Sequence, residues 1–125
     1  NENNRRQEIV EIYRRNLESE NDSIRLFSTP DNVVSTNHLF QVYLRSSEVG
    51  KVQENLQKAG VGTGRHYPIP LHLQPALKFL GYSKGDFPNV EDLANKTLSL
   101  PNYPEMTDIQ VDYVSEALIE AVAKA

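Results

Sequence analysis

Apolar residues recur at two different periods along this chain. From Glu8 to Leu17, the residues Ile9, Ile12, Tyr13 and Leu17 share one helical face, with Arg14 and Arg15 between them. From Asn37 to Leu44 the period drops to two: His38, Phe40, Val42 and Leu44 point one way, and Leu39, Gln41 and Tyr43 the other. That alternation predicts a strand, and it places His38 on the buried face, satisfied by a backbone partner. A shorter strand is expected over Ile24 to Phe27, before the turn cluster Ser28-Thr29-Pro30-Asp31-Asn32.

A second helix follows, with Val49, Val52, Leu56 and Ala59 on one face. Ser46 or Ser47 is its expected cap, Gly50 weakens it, and Gly60 ends it in a left-handed conformation. Pro75 opens a short helix carrying Ala76, Leu77, Phe79 and Leu80. Gly81 to Pro88 reads as irregular. Val90, Leu93 and Ala94 mark another short helix, and Leu98 to Leu100 a brief strand stopped by Pro101 and Pro104. The last helix carries the clearest signals. Thr107 to Gln110 fits a capping box, Met106 and Val111 fit a hydrophobic staple, and Val111, Val114, Leu118 and Val122 form a buried stripe. The order predicts an α+β fold, a small antiparallel sheet packed against helices.

Composition narrows the function. The 125 residues suit one domain. A net charge of -4 argues against a nucleic-acid partner. With no cysteine there is no disulfide and no thiolate metal site. No apolar run approaches the ~20 residues that span a bilayer, and no apolar signal segment follows Asn1, so a cytoplasmic protein without membrane contact is expected. Met106 is the only methionine; the expectation is that a leader was removed or that the chain is part of a longer protein.

The richest segment is Gly60 to His72. Gly60, Gly62 and Gly64 loosen the backbone, Pro68 and Pro70 stiffen it, and Arg65, His66, Tyr67 and His72 sit among them. Arg65, His66 and Tyr67 suit an anionic or hydroxyl-rich ligand; on pattern alone an ordinary polar surface loop fits equally well. His72 either caps the next helix or lies in solvent. His38, His66 and His72 offer three imidazoles for a metal, but no carboxylate is interleaved and the first acids beyond them are Asp86 and Glu91. No metal site is expected. Asp86, Glu91 and Asp92 read as a solvated loop and helix start. The glycines lack dinucleotide-motif spacing, and no Walker or nucleophile-elbow motif occurs. None of the six lysines has the buried setting that Schiff-base chemistry requires, so no catalytic residue is assigned.

Four segments in order nevertheless resemble one family. They are Gly60 to His72 with Gln74-Pro75-Ala76, Asn37-His38-Leu39-Phe40, Leu80-Gly81-Tyr82-Ser83-Lys84-Gly85-Asp86-Phe87-Pro88, and Leu98-Ser99-Leu100-Pro101-Asn102-Tyr103-Pro104-Glu105-Met106-Thr107. They are similar to the C-terminal domain of DegT/StrS-type nucleotide-sugar aminotransferases, which depend on pyridoxal phosphate. The resemblance implies the small domain of an aspartate-aminotransferase-like fold over residues 21–125, with residues 1–20 as the helix leading from a large domain. That absent domain would hold most of the cofactor and supply the Schiff-base lysine, so the chain alone is expected to be inactive. The implied reaction moves an amino group, from glutamate, to a keto sugar linked to a nucleotide, in a homodimer. The implied ligand contacts are His66 and Tyr67, then His72 and Arg65, with His38 after them. The alternatives are a stand-alone binding module without cofactor and a structural or dimerisation domain.

Overall fold

The computed structural model describes residues 1–125. Helix α1 (Glu2–Leu17) begins at Glu2 rather than Glu8. Its first turns are polar throughout and leave no apolar trace in the sequence. They are held by Asn1, whose side chain accepts the Asn3 N–H at 3.1 Å, and by Arg5, which donates at 2.7 Å to both Asp108 Oδ1 and the Met106 carbonyl. The buried face of α1 carries Ile9, Val10, Ile12, Tyr13 and Leu17.

Strand β1 (Ile24–Leu26) follows a 3-10 turn, and β2 (Phe40–Leu44) follows a long exposed loop. After α2 (Val49–Lys58) come the polar loop, two 3-10 turns at Leu71–Leu73 and Pro75–Leu80, α3 (Pro88–Lys96), β3 (Thr97–Leu100) and α4 (Asp108–Ala123). The sheet order is β1-β2-β3, antiparallel throughout, as the alternation predicts.

Register separates the sheet's two faces. Ile24 pairs with Leu44, Leu26 with Val42, Val42 with Leu98 and Phe40 with Leu100. These side chains form the apolar face under α1, α2 and α4. One core of 20 buried side chains runs through it. The Tyr13 ring stacks on Phe40, with centroids 4.8 Å apart, and its hydroxyl donates to the Pro101 carbonyl at 2.8 Å. The opposite face carries Gln41 facing Ser99 and Tyr43 facing Thr97. Helix α3 packs against β2 there, tied by Tyr43 Oη to Asp92 Oδ2 at 2.7 Å.

Two local expectations are corrected. His38 is exposed and lies before the strand rather than on its buried face. The ladder stops at Phe40 because its partner Leu100 is followed by Pro101, which has no N–H to extend it, and Asn37 turns the chain at φ 50. Helix α2 is capped by the backbone of Glu48, with no side-chain bond; the Ser47 hydroxyl is drawn instead to the Val122 carbonyl at 3.5 Å. The end of α2 follows expectation, with Gly60 at φ 76, and so does the start of α4, where both bonds of the Thr107–Gln110 capping box form. No helix is long and apolar enough to cross a membrane.

Candidate functional site

The polar face of the sheet is the floor of a groove of about 380 Å³. Its walls are the loop at 66–74 on one side and α3 on the other. Gln41, His66, Tyr67, Gln74 and Thr97 supply polar groups, while Ile69, Leu71, Val90 and Leu93 supply apolar surface. This mixture of a few convergent polar groups on an apolar wall suits a small-molecule site.

The loop is anchored where it leaves α2. Gly64 forms an isolated antiparallel bridge to Ser99, with its N–H donating to the Ser99 carbonyl at 3.1 Å and the Ser99 N–H donating back at 2.8 Å. Two side chains continue the attachment. Gln41 Nε2 donates to the His66 carbonyl at 3.0 Å, and the Ser99 hydroxyl lies 2.8 Å from His66 Nδ1. Further along, Gln74 folds back to donate to the Ile69 carbonyl at 3.0 Å. Prolines 68 and 70 have no N–H to satisfy, so the wall runs in the open without losing backbone bonds. Tyr67 is 72% exposed at the groove's edge.

The expected site residues therefore separate. His66 and Tyr67 meet at the groove, their rings 5.5 Å apart and edge to face. Arg65 does not line the groove; it donates to the carbonyl of Ala94, a wall residue in the last turn of α3, where a cation suits the helix's negative end. His72 lies behind the loop. Its ring is 4.8 Å from Phe87, and its Nε2 is 3.0 Å from Glu91 Oε1, which corrects the expectation of a cap or a solvent-facing side chain. Glu91 is not a distant acid: the fold brings α3 against the loop. Its carboxylate is held below the ordinary range chiefly by the Gly85 N–H, with His72 adding to the effect and burial opposing it. His38 belongs to neither group.

Gln41 and Thr97, which line the groove, carried no sequence motif, and Ser99, which holds His66 from beside it, stood only inside the segment Leu98 to Thr107. Their signal was the alternation itself, because each is polar on the strand face opposite the core. Pyridoxal phosphate needs a lysine for its aldehyde and an acid for its ring nitrogen. Neither residue type lines the groove, and Lys96, the nearest lysine in sequence to it, is paired with Asp92 at 3.3 Å. The residues of this chain do not fit the anchoring of that cofactor.

The model of the DegT/DnrJ/EryC1/StrS aminotransferase family matches residues 1–119. A pleiotropic regulatory protein of Geobacillus stearothermophilus is 40% identical over 76% of this chain and 26% of its own length. The dTDP-3-amino-3,4,6-trideoxy-alpha-D-glucose transaminase of Streptomyces venezuelae is 35% identical over 66% of the chain and 21% of its own. The crystal structure of S. venezuelae DesV in complex with a ketimine intermediate superposes with a TM-score of 0.90 at 29% identity, over 99% of this chain and 33% of that one. The chain thus spans a third or less of the relatives it matches. Solved neighbours include PLP and PMP forms, in keeping with a PLP-dependent family. The four-motif order, the antiparallel sheet and the match across almost the whole chain agree: this chain belongs to the DegT/DnrJ/EryC1/StrS aminotransferase family.

Proposed function

We propose that this chain forms the sugar-nucleotide side of the site of a transaminase that transfers an amino group, from glutamate, to a nucleotide-linked keto sugar. Residues 21–125 act as the small domain, and residues 1–20 as the helix that joins it to the cofactor-holding part of the protein. The protein works as a homodimer in the cytoplasm. Pyridoxal phosphate supplies the electron sink when bound, and the residues of this chain bind and orient the sugar nucleotide.

One observation carries the reading: in a chain of this family, His66 and Tyr67 stand together at the mouth of a groove floored by the sheet's polar face. Imidazole and phenol bond sugar hydroxyls and phosphate oxygens, and the apolar wall takes the flat face of a sugar or base. Arg65 and His72 act on the same loop from behind, through Ala94 and Glu91. Support for a larger assembly comes from the flank beside the groove, where Phe79 is 80% exposed and Leu80, Tyr82, Phe87 and Val90 are also open to solvent. An apolar flank of this kind suits burial against another body.

The test uses the protein that carries this chain, at its natural length. His66→Ala and Tyr67→Ala raise KM for the nucleotide sugar or lower kcat, with the circular dichroism spectrum unchanged. Wild-type kinetics in both variants would remove the groove from the site. A protein that is colourless and takes up no pyridoxal phosphate would favour a binding module without cofactor.

A further inference from the structure

We propose that Ser99 is a positioning residue for this site: its buried hydroxyl donates to Nδ1 of His66 and so commits the imidazole to present an Nε2–H donor to the ligand. The inference rests on the groove reading above and adds the hydrogen-bonding sense of its central residue.

Ser99 is 4% exposed, and the hydroxyl makes one hydrogen bond, to His66 Nδ1 at 2.8 Å. A buried O–H without an acceptor is costly, and buried hydroxyls therefore donate where an acceptor is in reach. Nδ1 is that acceptor. A neutral imidazole carries one N–H, so when Nδ1 accepts, the proton resides on Nε2.

The ring has little freedom to escape this arrangement. A Cβ built on Gly64 would lie 2.7 Å from His66 Cε1 and 3.6 Å from Nε2. The imidazole therefore lies back over Gly64, in space that only glycine leaves open. Gly64 is bridged to Ser99 through both backbone bonds. Gln41, which faces Ser99 in register, holds the His66 carbonyl. Backbone, carbonyl and ring of the loop are thus tied to one point on the sheet. The consequence is chemical. An Nε2–H donor pairs with an acceptor oxygen, such as a sugar hydroxyl, a keto group or a phosphate. It does not offer the lone pair a metal ion needs.

The experiment compares the wild-type protein with Ser99→Ala, Ser99→Thr and Ser99→Val at natural length. Threonine and valine share shape and differ in the hydroxyl, so a fault common to both reports bulk alone. Imidazole nitrogen NMR of the ligand-free protein reads the ring directly. Wild type and Ser99→Thr show a hydrogen-bonded, pyridine-type Nδ1 and a pyrrole-type Nε2, and Ser99→Val and Ser99→Ala lose the bonded signature at Nδ1. With dTDP-glucose or UDP-glucose as the binding probe, Ser99→Val weakens binding about fivefold relative to Ser99→Thr. A pyrrole-type Nδ1 in the wild type, or a Nδ1 signal unmoved in Ser99→Val and Ser99→Ala, would overturn the proposal. The shifts are read without ligand, so they decide this inference even if His66→Ala shows that the loop takes no part in binding.

Discussion

Nε2 of His72 lies 3.0 Å from Oε1 of Glu91, and the same oxygen accepts the Gly85 N–H at 2.7 Å. One carboxylate thus gathers three parts of the chain: the loop wall, the irregular stretch 81–87 and the first turn of α3. The wall of the groove keeps its position through this junction, since the loop beyond Tyr67 has few other long-range bonds. Both side chains are largely buried, 7% and 12% exposed.

The junction predicts acid sensitivity. Glu91 titrates below its ordinary value of 4.5, first because of the Gly85 N–H and then because of His72. A carboxylate lowered in the folded state stabilises that state above its unfolded pKa, and the contribution is lost as pH falls through the lower folded value. Thermal melts should therefore show stability declining on acidification below pH 4.5, with Glu91→Gln less stable at neutral pH and flatter across the acid range. Parallel curves for the two proteins would show that the junction contributes nothing.

Tyr13 gives a separable prediction for the core. Its hydroxyl reaches the Pro101 carbonyl at 2.8 Å while its ring stacks on Phe40. Tyr13→Phe keeps the stack and removes the bond, so urea unfolding should report a loss of about 1 kcal/mol. Tyr13→Ala opens a cavity as well and should cost about 3–5 kcal/mol. Equal losses in the two variants would mean that the stacked ring is not load-sharing.

The face of α4 can be checked with one pair. Val114 is 6% exposed and Ile109 is 80% exposed. Val114→Asp places an unpaired charge in the core and should cost about 3 kcal/mol or more, whereas Ile109→Asp should stay within about 0.5 kcal/mol of wild type. Similar melting temperatures for both would show that the helix does not bury the stripe seen here.

Legibility in the sequence followed the kind of force at work. Periodic burial was readable, so β3 and α4 lie where the pattern puts them and β2 does so from Phe40 onward, and the capping box of Thr107 and Gln110 forms as written. The first turns of α1 were not readable, because they are held by Asn1 and by the distant Asp108 rather than by an apolar stripe. His38 was misplaced because the alternation continues past the point where Pro101 ends the ladder; the limit lay on the partner strand. At the site, the loop pattern offered Arg65, His66, Tyr67 and His72 alike, and only the family resemblance put His66 and Tyr67 first. Neither gave any hint of Glu91 against His72, or of Ser99 against His66, because those pairs exist only once α3 and β3 close over the loop.

Gly64 offers the most direct test of that closure. A methyl group there would sit 2.7 Å from His66 Cε1, whereas at Gly62 nothing lies within 4 Å. Neither glycine has a positive φ, so alanine is tolerated by the backbone at both, and the two substitutions differ in what the new Cβ meets. Gly64→Ala must push the imidazole off its bond to Ser99, and KM for the nucleotide sugar should rise about fivefold, the equivalent of one lost hydrogen bond. Gly62→Ala should leave KM at the wild-type value. Thermal melts separate this effect from misfolding, since the displaced ring is at the surface of the sheet's polar face and not in the core. If Gly64→Ala and Gly62→Ala have the same KM, the orientation of the His66 ring does not govern binding.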